Sequence, residues 1–306
     1  MHEGSKRAIV AALLANLGIA ISKFVAFLIT GSASLFAESL HSVADTGNQA
    51  LLLLGGSRAR RAADAQHEFG YGRERYFWSF VVALVLFSLG GLFALYEGAQ
   101  KLGDPHELES AGVAVGVLLF AIVLESFSLR TAVREANHVR AGLGWARFIR
   151  RSKNPELPVV LLEDVGALVG LTFALAGVSL AIITGDERWD AVGSLAIGAL
   201  LVAIAAVLAV EMKSFLIGES ADPQRAAAIR TALEGGDEVV RVIHMRTEHL
   251  GPEELLVAAK VEFVSGLSVE RLAAAVDEAE RCAREAVPER CVIYLEPDLY
   301  RAPAPR

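Results

Sequence analysis

The sequence predicts a membrane α-helical bundle followed by a small soluble α+β domain. Three observations predict it. Hydrophobic residues make up 54% of the 306, and the mean hydropathy is +0.44, high for a soluble protein with ordinary charged content. Six apolar runs, each near the roughly 20 residues that a helix needs to cross a bilayer, fill the first two thirds of the chain. After Met212 and Lys213 the Leu/Ala/Val composition gives way to mixed polar sequence. The expected division is therefore 1–212 for a six-helix membrane domain and 213–306 for a cytoplasmic domain of about 90 residues, enough for one small fold.

The six runs lie near Ala8 to Ile29, Ser34 to Gly56, Phe77 to Gln100, Ala111 to Arg130, Pro158 to Ile183 and Trp189 to Val210. The first is longer than a signal-peptide core and has no convincing cleavage site after it, so it reads as a retained helix. Lys and Arg set the orientation. Lys6 and Arg7 precede the first run; Arg58, Arg60, Arg61, Arg73 and Arg75 fall between the second and third; Arg134, Arg140, Arg147, Arg150, Arg151 and Lys153 fall between the fourth and fifth. The alternate connections carry almost none. By the positive-inside rule both termini are cytoplasmic, which agrees with an even number of spans. Gly112 with Gly116, Gly166 with Gly170, and Ser194 with Gly198 have the four-residue spacing of close helix–helix contact.

In the soluble part, Asp222 before Pro223 is a helix start and Gly235-Gly236 its stop. Two β-rich runs follow, from Val239 and from Leu255, joined by a turn at Gly251-Pro252; Ser268 opens a second helix and CVIYLEP forms a last strand. The order α-β-β-α-β suggests an open-faced sandwich of split βαβ type. The net charge of −7 comes chiefly from this part, and no basic face for nucleic acid is visible. Cys282 and Cys291 do not have metal-knuckle spacing, and in a reducing compartment they read as small hydrophobes rather than a disulfide.

The second run carries Glu38, His41, Ser42 and Asp45, which share one helix face. An ionisable group in hydrocarbon costs several kcal/mol, so it turns inward toward a partner or a watery cavity. A hydrogen-bonded pair that only holds helices together is the bland alternative. Glu163 and Asp164 stand near the start of the fifth run, about 100° apart on a helix, so that one of them faces the cavity of His41 and Asp45. Carboxylates gathered around one cavity repel unless a cation joins them. A divalent metal resolves this, and His41, Asp45 and the Glu163/Asp164 pair are N and O ligands suited to Zn²⁺. An interfacial acidic pair is the alternative for Glu163 and Asp164. With the shorter side chain and the deeper position, Asp164 is the expected ligand, and Glu163 the group at the cytoplasmic mouth. Glu97, Glu125 and Lys23 are further charged residues of the membrane runs that no spacing selects.

On TGSASLFAESLHSVADTGNQ and the loop DAQHEFGYGRER, the chain resembles the cation diffusion facilitators over nearly its whole length. The string VVLLED with HSVADTGNQ is similar to the branch that includes the animal mitochondrial zinc exporter. The resemblance implies a six-helix metal/proton antiporter with a ferredoxin-like cytoplasmic domain, a homodimer and not an enzyme, multi-pass in the plasma or inner membrane. It implies His41 and Asp45 as the His-x-x-x-Asp pair, whereas the fifth-helix repeat is absent, with Ala167 and Leu168 at the positions four beyond the acids. It implies a loop site at Asp64 and His67, with Tyr71 where another His is usual. Lys260 and Leu295 fall where soluble-domain histidines are expected, which leaves that domain as a dimerisation module. The expected function is efflux of a divalent cation, most simply Zn²⁺, with Mn²⁺, Co²⁺ and Fe²⁺ suited to the same donors. Protons compete with metal for neutral His41 and ionised carboxylates. No cofactor is expected, and the partners are the lipid bilayer, metal ions and protons. An intramembrane metallohydrolase or a metal-sensing membrane protein are the alternatives; the first would need an HExxH or comparable motif, and the membrane runs contain none.

Overall fold

The computed structural model describes residues 3–30, 33–103, 111–140 and 142–302, without the side chains of 3–5, 26, 27, 29, 30, 33–41, 44, 87, 111 and 151. The chain forms two compact units, Met1–Arg60 with Glu74–Lys213, and Arg61–Arg73 with Ser214–Arg306. The segment Arg61–Arg73, placed by composition among the membrane connections, thus belongs with the C-terminal unit.

In the first unit the helices are α1 (Glu3–Thr30), α2 (Ala33–Arg58), α3 (Glu74–Val85), a π-helical stretch Leu86–Leu92, α4 (Phe93–Gly103), α5 (Ala111–Val139), the short α6 (Trp145–Arg151), α7 (Glu156–Thr184) and α8 (Arg188–Ile217). Among the described residues five stretches are long and apolar enough to cross a membrane: Lys6–Val25, Glu74–Gly103, Gly112–Val139, Glu156–Thr184 and Arg188–Ile217. α2 is of similar length but is interrupted by ionisable residues. Large apolar side chains such as Leu14, Phe127, Ile183 and Val210 point outward, while Asn16, Gln49, Glu125, Ser128, Glu163 and Asp164 are buried. Lipid solvates the former at no cost, and the latter find partners only inside the bundle.

Small residues let the helices approach. A Cβ at Gly98 would lie 2.9 Å from the backbone nitrogen of Leu195, and one at Gly198 would lie 2.7 Å from that of Leu95, so the α4 segment and α8 meet backbone to backbone. Gly177 of α7 meets Trp189 O at 2.9 Å in the same way. Of the sequence-predicted glycine pairs, Gly166 abuts Ile204 Cδ1 at 2.6 Å and Gly170 stands at ordinary contact distance from Ile197. Gly112 and Gly116 behave differently: a Cβ there meets nothing within 4 Å. Spacing marks a helix face as smooth without saying whether another helix lies on it. At its far end α7 stops at Gly185, whose φ of 68° is left-handed and favours glycine.

The second unit contains α9 (Pro223–Glu234), β1 (Val239–Gly251), β2 (Glu254–Phe263), α10 (Val269–Glu285) and β3 (Arg290–Pro297). The observed order is the α-β-β-α-β of the sequence. Asp222 caps α9 by accepting from Gln224 N, with proline in the first turn, and Ser268 caps α10 by accepting from Arg271 N. β2 is the middle strand, antiparallel to β1 and parallel to β3. Its burial alternates residue by residue, so Leu255, Val257, Ala259, Val261 and Phe263 form one face of the core with Ile229 and Leu233 of α9 and Ala275, Ala279 and Ala283 of α10. Cys291 is a free thiol in that core, and Cys282 is a half-buried free thiol on α10. Gly72 lies against the β1–β2 turn, where a Cβ would stand 2.7 Å from Leu250 O, and Arg73 pairs with Glu248 of β1.

Candidate metal site in the membrane bundle

The site begins with α7. Its first turns, Leu157 to Leu161, are wholly buried and apolar, so the helix enters the bundle core before it reaches Glu163 and Asp164, which are 7% and 2% exposed. Neither acid is wet at an interface, and each has a partner on a different helix. Glu163 faces α2: its Oε1 accepts from Asn48 Nδ2 at 3.0 Å and its Oε2 from Gln49 Nε2 at 2.8 Å. Gln49 Oε1 accepts in turn from Asn16 Nδ2 of α1 at 3.2 Å. Asp164 faces α5, its Oδ2 accepting from Ser128 Oγ at 2.8 Å. The expected arrangement, with Asp164 toward α2 and Glu163 toward the mouth, is thus reversed in its hydrogen bonds. Two adjacent acids cannot both face α2, and the two amides there receive the longer one.

Asp45 lies three and four residues before Asn48 and Gln49, so it shares their helix face. It is half-buried, and its charge acts on both Glu163 and Glu125. Glu125 of α5 is 4% exposed and has Asp164, Asp45 and Lys23 as its charged neighbours. The Lys23 ammonium on α1 donates to Ser42 of α2 at 3.2 Å. Asp45 of α2, Glu125 of α5 and the two acids of α7 thus belong to one buried neighbourhood of three helices, with Lys23 beside Glu125, an interior rich in carboxyl groups. His41 lies on α2, one turn before Asp45, but its side chain is outside the described residues. Among the described residues no three His, Cys, Asp or Glu side chains form a group placed to hold a metal ion.

Asn16, Asn48, Gln49 and Ser128 were not singled out by sequence reasoning. The available signal was NQ one turn after Asp45: two adjacent amides in an apolar helix need partners as much as a carboxylate does.

In the loop, Asp64 Oδ1 accepts from the backbone nitrogens of Gln66 at 3.0 Å and His67 at 2.9 Å, and Oδ2 accepts from the Tyr71 hydroxyl at 2.7 Å. The Tyr71 hydrogen bond first, then the His67 amide, hold its carboxyl below the usual range. His67 Nδ1 lies 3.6 Å from Asp64 Oδ1, and its ring packs on Tyr71 at 4.4 Å. The structure therefore brings Asp64 and His67 side by side, on the solvent-exposed surface, with Asp64 engaged in folding the loop. In the sheet, the Lys260 ammonium sits 2.8 Å from Glu296 and 2.9 Å from Asp298, and these bonds, Glu296 first, raise its pKa. A fixed cation thus occupies one position where the family resemblance would call for a histidine. His249 is buried and His244 exposed on β1.

Fold and site together describe a multi-pass membrane protein with a buried acidic centre and a small C-terminal sheet domain. The family model for the cation efflux transmembrane domain matches residues 9–217, and the chain belongs to that family, the cation diffusion facilitators. It is 36% identical over 244 residues, 79% of its length, to the "Proton-coupled zinc antiporter SLC30A9, mitochondrial" of Xenopus laevis, and 35% identical over the same length to that of Homo sapiens. It is 33% identical over 264 residues, 85% of its length, to "Metal tolerance protein C4" of Arabidopsis thaliana. The matched segments are 44%, 43% and 57% of those three proteins, so the chain spans about half the length of these relatives.

Proposed function

We propose that this protein exports a divalent cation, zinc first among the candidates, from the cytoplasm in exchange for protons. The observation that carries the reading is the buried pair Glu163 and Asp164, joined by hydrogen bonds to α2 and α5 in an otherwise apolar bundle. Asp45, His41, Glu163 and Asp164 are the proposed transport site, with Glu163 the acid nearer the α2 ligands. The names of the frog and human relatives, both zinc antiporters coupled to protons, support the metal and the coupling.

The mechanism follows from the donor chemistry. Metal binding needs an imidazole without its second proton and carboxylates without theirs, so each ion bound displaces protons and each proton bound expels metal. In an inward-facing state the cytoplasmic ion displaces protons from the site; in an outward-facing state protons entering from the other side displace the ion and reset it. His41 suits this exchange because imidazole titrates close to physiological pH. The Asn16–Gln49–Glu163 chain ties α1, α2 and α7 together, so a change in what Glu163 binds is felt on three helices.

The membrane domain, 1–212, is proposed to have six spans, α2 being the sixth, with both termini in the cytoplasm as the distribution of Lys and Arg favours. The domain 213–306 is proposed to be the homodimerisation domain, its association resting on apolar surface rather than bridging metal, since Lys260 already pairs with both Glu296 and Asp298. Asp64 and His67 are proposed as an accessory loop pair that meets metal before the membrane site. The reading is of a transporter, not an enzyme. The test is purified protein in sealed proteoliposomes, with Zn²⁺, Mn²⁺, Co²⁺ and Fe²⁺ each offered with and without an imposed pH gradient. Gradient-dependent flux is expected for at least zinc; flux of none, or flux indifferent to the gradient, rejects the antiport. Light scattering of metal-free protein in detergent should give the dimer mass.

A further inference from the structure

We infer that Asn48 is itself a ligand of the transported cation, its side-chain carbonyl oxygen adding a neutral donor to the carboxylates of Asp45 and Glu163. The inference rests on the intramembrane site proposed above and deepens it by naming a donor outside the acidic and histidine residues of that site.

Three observations meet at this residue. Asn48 is 1% exposed, within the bundle. Its Nδ2 donates to Glu163 Oε1 at 3.0 Å, which fixes the plane of the amide. Its Oδ1 is enclosed and has no hydrogen-bond partner among the described residues. Turning the amide over does not relieve this, because it would set oxygen against the Glu163 oxygen and leave the NH₂ without an acceptor. A buried carbonyl left without a donor costs about 1–3 kcal/mol, and native structures rarely keep one without a use. Asn48 is also one helical turn from Asp45 on the same face of α2, and it is bonded to Glu163. The orphan oxygen thus belongs to a side chain bonded to Glu163 and one turn from Asp45.

A cation resolves the orphan. An amide oxygen adds a donor with no charge and no proton of its own, so it tightens binding without altering how many protons are exchanged. It also makes the set richer in hard oxygen, which bears on the choice between Zn²⁺ and Mn²⁺. Asn48 would then have two tasks at once, since its NH₂ holds Glu163 while its carbonyl faces the ion.

Substitutions separate the two tasks. Asn48→Asp keeps an oxygen where Oδ1 stands but loses the N–H donor; Asn48→Leu keeps the volume and loses both. Zinc binding to purified full-length protein is measured by calorimetry for wild type, both variants, Asp45→Ala and Glu163→Gln, with thermal melts of the metal-free proteins. The inference expects Asn48→Leu to bind zinc about 10–100-fold more weakly, and Asn48→Asp to stay within about tenfold of wild type with Mn²⁺ gaining on Zn²⁺. Equal losses in both variants would show that only the N–H donor matters and would overturn it, as would undiminished binding in Asn48→Leu. If Asn48→Leu does not fold, Asn48→Asp decides alone: retained binding with a raised Mn²⁺/Zn²⁺ preference supports the ligand, and lost binding or an unchanged preference removes it. Wild-type zinc binding in both Asp45→Ala and Glu163→Gln would instead show that the transport site itself has been misplaced, and the inference would fall with it.

Discussion

Replacing Glu163 by glutamine removes one charge and one acceptor from a place where two amides point at two oxygens. Asn48 Nδ2 and Gln49 Nε2 donate to Oε1 and Oε2 at 3.0 and 2.8 Å. Gln offers one oxygen and one NH₂: its oxygen keeps one α2 donor, and its NH₂ either faces the other or is accepted by Asn48 Oδ1 once that amide turns over, which leaves the Asn48 NH₂ unmatched. Gln49 cannot simply turn over, because its own oxygen is held by Asn16 at 3.2 Å. Either way one buried amide donor of α2 is left without an acceptor, so a cost of about 1–3 kcal/mol is expected. For a helical unit of this size that is a melting shift on the order of 5–10 °C. Asp164→Asn is the matched control. Its partner among the described residues, Ser128 Oγ at 2.8 Å, can donate to an amide oxygen as readily as to a carboxylate, so a cost of about 1 kcal/mol or less is expected. The assay is thermal unfolding of metal-free protein in detergent, followed by zinc flux in proteoliposomes. Glu163→Gln should melt markedly lower than Asp164→Asn and carry no zinc. Equal melting temperatures, or a lower one for Asp164→Asn, would refute the assignment of the α2 amides to Glu163.

Asp45→Ala should leave protein inserted and folded while zinc flux in proteoliposomes disappears, because a ligand is lost and the apolar helix faces are not; wild-type flux under a saturating pH gradient would rule the residue out. Gly198→Ala should destabilise the membrane unit by about 1–3 kcal/mol, since its Cβ would stand 2.7 Å from the backbone of Leu95, whereas Gly112→Ala, which meets nothing within 4 Å, should leave the melting temperature unchanged or raise it. The Cys291 thiol is pushed up by burial and next by the Glu289 carboxylate, so at neutral pH it stays protonated and a maleimide should modify Cys282 first, Cys291 following only as pH rises above the ordinary thiol range; peptide mass mapping that found Cys291 labelled first at pH 7 would contradict the core placement. Asp64, held below the usual carboxyl range by Tyr71 and the His67 amide, contributes order to its loop above pH 4, an order lost as pH falls through its lowered value; Tyr71→Phe should move that loss to higher pH, read by proteolysis at Arg61 to Arg73 with an acid-stable protease.

Much of this protein is legible in sequence because its determinants are local. Apolar runs need only length to be recognised, and the caps at Asp222 and Ser268 act within one turn, so both helices of the second unit begin where the sequence places them. The alternation of β2 follows from a period of two that any half-buried strand shows. That acids stand on α2 and α7 was likewise visible, since a carboxylate in such a run is conspicuous. Less visible was the company they keep. Asn16, Gln49 and Ser128 are ordinary residues in sequence, and they matter only because three other helices bring them to Glu163 and Asp164.

The sequence by itself therefore determined the apolar segments, the α-β-β-α-β order of the second unit and the presence of carboxylates where lipid would not solvate them. Only the tertiary structure decided which acid of α7 meets α2, which glycine faces are covered and that Arg61–Arg73 joins the second unit. The reason is that neighbouring positions on a helix point about 100° apart, and nothing within one helix sets its rotation about its own axis. That rotation is set by close approach, as where Gly177 of α7 lies against the backbone of α8, and by the polar groups that have no water and must find each other.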